Sequence, residues 1–262
     1  MAGRVIARLL TFFTESLLFP SYSARKRLAF RYLQGAGVEI GALQHPLEMP
    51  PGVVVRYLDQ VTRDENIRRY PHLDAARIVE SDLLDDGFAL TSIAPASQDF
   101  VIANHLLEHA SNPLQTLVNW RRVLKVNGIL FLTLPNGAVN FDQGRGITPL
   151  VHLKEDYELV KNGDLGEFAR RNREHCREFV EISIPNLNRM RRRRPMTEQR
   201  QREYLEQLVA EQSSDPHFHL FSRSSMEELC RHLTVSLTPD LSLQEIAPSR
   251  LGHEYIMVLK RV

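Results

Sequence analysis

The sequence lacks the features that mark several common classes of protein. Its two cysteines, Cys176 and Cys230, form no metal-ligand spacing, so we expect free thiols in a reducing cytoplasm. The net charge is only +1, which favours neither a nucleic-acid partner nor an acidic one. No G-x-G-x-x-G segment occurs, and this argues against a dinucleotide-binding protein. The chain also has no internal repeat and no low-complexity segment.

A long apolar run is missing as well. Residues 5–19 are apolar but are interrupted by Arg8 and Glu15, whereas a membrane-spanning helix needs about 20 predominantly apolar residues. We therefore predict no spanning helix and no signal peptide. For the N-terminal helical segment, residues 1–35, two alternatives remain. Its arginines suit peripheral contact with an anionic membrane surface, but we favour a helix that packs on the domain or on a partner subunit.

The composition is that of a globular protein, and a β-α-β unit stands out within it. Apolar residues make up 43% and charged residues 25% of 262 residues, which suits one large domain or a domain with an insertion. Phe100–Ala103 and Ile129–Leu134 are apolar runs typical of parallel strands that are covered on both faces. Asn112 is suited to cap a helix that starts at Pro113, and Gly128 is predicted to end that helix. The loop after the first strand lies where open α/β sheets bind ligands. It carries Asn104, His105, Glu108 and His109.

Together with three earlier segments, this unit resembles the class I S-adenosylmethionine-dependent methyltransferases whose loop after strand 4 reads L-E-H. The segments are V-E-I-G-A-L at 38–43, V-V-V-R-Y-L-D at 53–59 and A-R-I-V-E-S-D at 76–82. The resemblance covers residues 36–136 and resumes near His217. It implies a doubly wound α/β fold with a seven-stranded, mostly parallel sheet, an insertion after strand 5, and S-adenosylmethionine as cofactor.

The resemblance also implies which residues bind the cofactor. Asp59 follows the acid of the first motif by 20 residues, and a carboxylate there can accept two charge-assisted hydrogen bonds from the ribose diol. Gly41 lets the backbone approach the ligand because it has no Cβ. The acid beside the adenine is assigned to Asp82, with Asp85 and Asp86 as alternatives. The full set predicted to bind cofactor is Glu39, Gly41, Asp59, Asp82 and Asn104.

The first motif departs from the family's acid-x-Gly-x-Gly pattern, because Leu43 stands at the second glycine. This departure supports an alternative function, a scaffold that retains the fold without catalysis.

The segment His105-Leu-Leu-Glu108-His109 also matches the H-x-x-E-H motif of zinc peptidases. That chemistry needs both histidines on one face of a long helix, whereas here a strand ends directly before the motif. A metal-dependent hydrolase is therefore the least favoured alternative. Some O-methyltransferases carry E-x-x-E-H in this loop and bind a divalent metal, and His105 would replace the first glutamate. We favour a loop that Glu108 and His109 organise without a metal.

Methyl transfer to an alcohol needs a general base, and histidine is the usual choice. We predict His105 and His152 as the catalytic residues. His217 and His219 alternate in an extended stretch, so they are expected to share a face and are weaker candidates.

The predicted domain consists of residues 36–139 and 217–262, and residues 140–216 form an insertion on the acceptor side. The insertion leaves the carboxyl end of strand 5, so we expect it to bind the acceptor through His152, Asp156 or Tyr157. Helices are predicted from Thr148-Pro149 onward and over Glu198–Glu211, with an arginine run at 191–194 as a solvated turn. After the insertion, the sequence predicts a helix with a Ser224–Glu227 capping box and two closing antiparallel strands.

The predicted function is O-methylation of a small-molecule or glycan acceptor in cell-surface polysaccharide biosynthesis, because sequences that resemble this one commonly occur there. We expect a cytoplasmic enzyme, with peripheral membrane contact as the alternative, and no nucleic-acid partner. The sequence leaves the oligomeric state open.

Overall fold

The structure, a computed structural model, describes residues 21–249 and 251–262. The apolar segment 5–19 lies outside the described residues, and so does its proposed contact with a membrane or a partner. Among the residues that are described, no helix has the length and apolarity that a membrane crossing requires.

A seven-stranded sheet forms the centre of the protein, as predicted, with the strand order β3-β2-β1-β4-β5-β7-β6. β7 runs antiparallel to its neighbours β5 and β6, and the other strand pairs are parallel. The predicted closing hairpin at the sheet edge is therefore confirmed. The strands are β1 Ala36–Ile40, β2 Val54–Asp59, β3 Leu83–Leu84, β4 Gln98–Asn104, β5 Leu124–Pro135, β6 Leu241–Pro248 and β7 Glu254–Arg261.

Eight α-helices are described around this sheet and in the insertion. They are α1 Ser21–Tyr32, α2 Arg63–Arg69, α3 Pro113–Val123, α4 Leu150–Asn162, α5 Leu165–Glu178, α6 Ile184–Met190, α7 Glu198–Ala210 and α8 Arg223–His232. A 3₁₀ turn spans Leu107–His109, and π-helical turns extend α5 and α8 at Phe179–Ser183 and Leu233–Leu237. The predicted insertion thus consists mainly of α4 to α7, and residues 191–195 form an exposed turn.

The β-α-β unit forms where it was predicted, but its helix ends earlier. The Asn112 side chain caps α3 by accepting a hydrogen bond from the Gln115 N–H at 3.1 Å. The helix ends at Val123 and not at Gly128, because Leu124 already pairs with Gln98 in the sheet and is fully buried. Gly128 lies inside β5, where a Cβ would come within 2.8 Å of the Lys125 carbonyl oxygen.

Two further details differ from the sequence prediction. Strand 3 was predicted over 76–82, but the structure has no strand there and places the two-residue β3 at Leu83–Leu84. Asp82 instead contacts β2 through its side chain, which accepts the Tyr57 N–H at 2.8 Å. The capping box of α8 is formed by Ser222 and Ser225 rather than by Ser224 and Glu227. Ser222 precedes the helix in an extended conformation, so only its hydroxyl can reach the free N–H groups of the first turn.

The core has two layers, one on each face of the sheet, and the insertion has a small core of its own. Leu28 and Ala29 of α1 pack with Phe131 on one face. On the other face, Trp120 of α3 packs with Leu153 of α4 and with α8. The third cluster joins α5, α7 and the segment before α8 through Cys176, Phe179, Val180, Leu208 and Phe218. Both cysteines are buried free thiols, as predicted.

Candidate functional site

The carboxyl ends of β1, β2 and β4 meet at one edge of the sheet. Ile40 of β1 lies opposite Leu58 of β2 and opposite Ala103 of β4. The next residue of each strand therefore faces the same crevice, and these residues are Gly41, Asp59 and Asn104. The Gly41 N–H donates to the Leu58 carbonyl at 2.9 Å, which fixes the first turn against β2. Three of the five predicted cofactor residues are thus brought together at their main chains.

Glu39, which was predicted to bind the cofactor, is engaged by the protein itself. It is fully buried, and both of its carboxylate oxygens accept the Leu47 N–H, at 3.1 and 3.0 Å. Asn104 donates to the same carboxylate at 3.1 Å. Burial raises the pKa of Glu39 to about 7, against the lowering effect of these hydrogen bonds. Glu39 therefore holds the loop after β1 closed and orients Asn104.

The turn after β1 has a leucine, Leu43, at the position of the second glycine. Gly41 has φ +65°, and no atom lies within 4 Å of the position that a Cβ would occupy. Leu43 has φ +48°, so this leucine adopts the left-handed conformation that normally favours glycine. Such a conformation costs a non-glycine residue roughly 1–2 kcal/mol. Leu43 therefore occupies the position of the second glycine at the cost of backbone strain.

Two acids, one at the end of β2 and one directly before β3, differ in what they can bind. Asp59 is half-buried, and its carboxylate receives the Val61 N–H at a long 3.4 Å. Asp82 is exposed, and its carboxylate pairs with the Tyr57 N–H at the sheet edge. The prediction that Asp82 contacts adenine is therefore not supported by its geometry. The alternative Asp85 is also occupied, because it accepts hydrogen bonds from Thr91 and from Ser92.

The crevice contains buried polar atoms that need a partner. Asn104 Oδ1 and Thr133 Oγ1 have no hydrogen-bond partner within the described part of the chain. The two residues lie opposite each other in β4 and β5, at the carboxyl end. A buried polar atom without a partner costs about 1–3 kcal/mol, so this edge fits a polar ligand. The open space beside Gly41 and the weakly bonded Asp59 agree with that.

His105 is held as a cation by two carboxylates. Its Nε2 lies 2.6 Å from Glu254 and its Nδ1 lies 3.5 Å from Glu108. Arg25 of α1 also binds Glu254. Burial acts to lower the pKa of His105, but the contacts with Glu108 and Glu254 outweigh it and raise the pKa to about 9. A protonated imidazole cannot accept a proton, so this geometry argues against the predicted role of His105 as a general base.

His109, at the end of the same loop, has the properties that His105 lacks. Its Nδ1–H faces the Pro216 carbonyl oxygen at 3.1 Å, which leaves Nε2 as the unprotonated nitrogen. Burial lowers the pKa of His109 below its usual value, so the ring is neutral near pH 7. The ligand atoms of His109, His217 and Glu108 lie within 4.8 Å of one another. His105 shares Glu108 with this cluster, but its Nε2 is bound to Glu254 and it is not among the clustered ligands, so the motif does not form the two-histidine face of a zinc peptidase.

A second group of histidines lies between the insertion and the domain. His152 Nε2 is 2.9 Å from His175 Nε2 and 3.0 Å from Asp156 Oδ2. His219 joins this group, with its ring centroid 4.9 Å from that of His175. His217 instead binds Asp142 at 2.7 Å. The prediction that His217 and His219 act on one face was therefore wrong, because the two rings belong to separate clusters.

A cavity of about 610 Å³ lies between the insertion and the loops after β3 and β4. Its walls include His109 and Asn112 from the domain and Phe168, Asn172 and Arg173 from α5. The residues of α4 that were expected to contact an acceptor do not line it. Asp156 is fully buried among the histidines, and Tyr157 packs against the main core.

Sequence reasoning missed His109 as a candidate base and His175 as a cluster member. The L-E-H pattern marked the position of His109, but the tautomer depends on the Pro216 carbonyl, 107 residues away. No pattern in the sequence distinguishes His175 from other polar residues of α5.

Comparison with known protein families gives one match for this chain. Residues 58–132, from the end of β2 into β5, match the methyltransferase domain family. No curated protein matches the sequence significantly.

Several solved structures are similar to this chain at low sequence identity. A protein named as a "putative Zn-dependent alcohol dehydrogenase" from Rhodobacter sphaeroides is 14% identical, with 91% of this chain and 90% of that chain covered and a TM-score of 0.51. A SAM-dependent methyltransferase from Thermotoga maritima is 15% identical, with 99% of each chain covered and a TM-score of 0.43. The plantazolicin methyltransferase BpumL, solved with S-adenosylhomocysteine, is 13% identical, with 95% and 85% covered and a TM-score of 0.45.

Proposed function

We propose that this chain, a class I S-adenosylmethionine-dependent methyltransferase, methylates an oxygen of a small-molecule or glycan acceptor. The observation that carries the proposal is the position of a neutral histidine, His109, in the wall of the 610 Å³ cavity between the insertion and the loops after β3 and β4. The biological setting that we propose is cell-surface polysaccharide biosynthesis, which the sequence resemblance suggests.

The cofactor would lie across the carboxyl edge of β1, β2 and β4. Asp59 would accept hydrogen bonds from the ribose diol, because among the described residues its carboxylate has only a long contact, at 3.4 Å. Asn104 would offer its unpaired Oδ1 to the cofactor, while Glu39 holds the amide in place from below. The backbone at Gly41 leaves the ligand room to approach. When bound, S-adenosylmethionine supplies an activated methyl group on a sulfonium.

The acceptor would enter the cavity between the insertion and the domain. His109 Nε2 would take the proton from the acceptor hydroxyl as the oxygen attacks in line with the methyl group. Glu108 would stabilise the imidazolium that results. Burial acts to raise the pKa of Glu108, but its interaction with the His105 cation keeps the pKa below the usual value, so the group is a carboxylate. His105 and His152 are occupied by carboxylates and by His175, and we assign them no proton transfer.

The non-catalytic alternative rests on Leu43 at the second glycine of the first motif. Leu43 keeps the left-handed conformation of the turn, so the substitution by itself gives no reason for the loss of cofactor binding. The hydrolase alternative needs His105 and His109 on one metal ion, and His105 binds Glu254 instead.

The proposal is tested with the full chain in two steps. Isothermal titration with S-adenosylhomocysteine should show one binding site per chain. Methyl-labelled S-adenosylmethionine, incubated with a panel of sugar nucleotides and oligosaccharides, should then label an acceptor. His109→Ala should retain the dissociation constant for S-adenosylhomocysteine and lose at least about 100-fold in turnover, the contribution of a general base.

A matched control is His72→Ala, which removes an exposed histidine away from the cavity and should change neither quantity. Absence of S-adenosylhomocysteine binding in the wild type would refute the proposed function. Full turnover in His109→Ala would refute the role of His109.

A further inference from the structure

Four side chains from three separate elements converge beneath the insertion. His152 and Asp156 are one turn apart on α4, so they share a helix face. His175 comes from the end of α5, and His219 comes from the extended segment before α8. One ligand atom of each of the four residues lies within 4.8 Å of those of the other three.

The hydrogen bonds within this cluster leave two buried atoms without a partner. Asp156 and His219 are both fully buried. In the described part of the chain, Asp156 Oδ2 and His219 Nδ1 have no hydrogen-bond partner. His152 Nε2 lies 3.0 Å from Asp156 Oδ2, but its hydrogen bond is to His175 Nε2 at 2.9 Å. The cluster therefore keeps two buried lone pairs without a donor in the described part of the chain.

The surroundings orient the unpaired atoms toward one another. His219 Nε2 faces the Ser111 carbonyl oxygen at 3.3 Å, so this nitrogen carries the proton and Nδ1 keeps its lone pair. Arg171 binds the other oxygen of Asp156, Oδ1, at 2.8 Å. A histidine that donates to a backbone carbonyl and a carboxylate that is itself hydrogen-bonded are the usual supports of metal ligands.

We infer that His152, Asp156, His175 and His219 form a binding site for a Zn²⁺-type divalent cation. Three imidazoles and one carboxylate are ligands that suit Zn²⁺, whereas Mg²⁺ and Ca²⁺ take sites made of oxygen. Zn–N bonds of about 2.0–2.1 Å in a tetrahedron place neighbouring ligand atoms about 3.3 Å apart. The distances from His152 Nε2 to His175 Nε2 and to Asp156 Oδ2, 2.9 and 3.0 Å, need a small expansion to reach that geometry. All ligand atoms of the cluster lie within 4.8 Å of one another, so the wider pairs need a contraction.

The site has a structural consequence for the insertion. Two ligands belong to α4, one to α5 and one to the segment that resumes the domain, so the ion ties the insertion to the domain. Ser111, which orients His219, also lines the cavity. The ion therefore supports the wall of the cavity from behind. This inference does not depend on the proposed reaction. It also leaves open the sequence prediction of an L-E-H loop without a metal, because the proposed ion lies at a different place.

The test uses the full chain, stripped with a chelator and dialysed into metal-free buffer. ZnCl₂ is titrated by calorimetry, metal content is measured by elemental analysis, and the thermal midpoint is recorded with and without Zn²⁺. We expect one Zn²⁺ per chain and a midpoint that rises with Zn²⁺ concentration, as for any ligand that binds only the folded state. MgCl₂, titrated in the same way, should give no such rise. Co²⁺ should bind with the strong visible absorption of a four-coordinate ion.

Variants identify the ligands. His219→Ala and the conservative Asp156→Asn should each abolish stoichiometric binding, and Arg171→Met, which removes a support of the carboxylate, should weaken it by about 10-fold or more. His109→Ala, in the neighbouring cluster, is the matched control and should bind Zn²⁺ like the wild type. Circular dichroism establishes whether each variant is folded. If His219→Ala does not fold, loss of Zn²⁺ binding and of the Co²⁺ absorption in folded Asp156→Asn is the result that supports the site.

The inference is overturned by any of four results. They are no stoichiometric Zn²⁺ in the wild type, a preference for Mg²⁺, unchanged binding in the folded ligand variants, and loss of the ion in His109→Ala with retention in Asp156→Asn.

Discussion

Removal of the Asp59 carboxylate should weaken cofactor binding without unfolding the protein. Asp59 is the last residue of β2 and is half-buried, and from residues 21–249 and 251–262 its carboxylate receives only the Val61 N–H, at 3.4 Å. That contact is too long to contribute much to stability. The carboxylate is therefore free to accept hydrogen bonds from the two hydroxyls of a ribose.

The size of the effect follows from those two hydrogen bonds. A hydrogen bond to a charged group is worth about 1.5–3 kcal/mol. Since water reaches Asp59, we take the lower value for each bond, which gives about 3 kcal/mol for the pair. At 1.4 kcal/mol per factor of ten, Asp59→Ala should raise the dissociation constant of S-adenosylhomocysteine roughly 100-fold. Asp59→Asn retains one neutral acceptor oxygen and should lose roughly 10-fold.

Isothermal titration on variants with an unchanged circular dichroism spectrum provides the measurement. Asp64→Ala is the matched control, because it removes an exposed acid from the first turn of α2, five residues further along the chain. It should bind S-adenosylhomocysteine like the wild type. If folded Asp59→Ala keeps its dissociation constant within about twofold, or if Asp64→Ala loses as much affinity, Asp59 does not hold the ribose.

Two other predictions concern stability. His105 has a folded pKa of about 9, above its usual value of 6.5, so its stabilising contribution is complete below pH 6.5 and is lost as the pH rises through 9. The pKa of Glu254 is lowered from 4.5 to about 2, so its contribution is present above pH 4.5 and is lost as the pH falls toward 2. The difference in melting temperature between the wild type and His105→Gln should therefore be largest between pH 4.5 and 6.5, and an equal difference at about pH 6 and about pH 10 would contradict this. For the strained turn, the free energy of unfolding of Leu43→Gly should exceed that of Leu43→Ala by about 1 kcal/mol. Both variants lose the leucine side chain, but only alanine retains the strain of the left-handed conformation. Equal stability of these two variants, measured by urea unfolding, would show that φ +48° at Leu43 carries no strain.

Much of the fold could be predicted from local signals. Asn112 and Pro113 start α3 because capping and a missing N–H act within one turn. The apolar runs at 100–103 and 129–134 became central strands because any segment so apolar must be covered on both faces. The end of α3 was predicted wrongly because Leu124 pairs with Gln98 in the sheet. The position and length of β3 were predicted wrongly because Asp82 contacts β2 through its side chain and not through its main chain.

The candidate site divides in the same way. The sequence by itself determined that Gly41, Asp59 and Asn104 follow three parallel strands, and parallel strands bring their carboxyl ends to one edge whatever else the chain does. The charge of His105 has a local and a tertiary cause, because Glu108 is three residues away in the sequence and Glu254 is 149 residues away. Tertiary structure also brought His152, His175 and His219 together from α4, α5 and the segment before α8. Their nitrogen atoms face one another because insertion and domain pack through buried side chains, and no spacing along the chain encodes that contact.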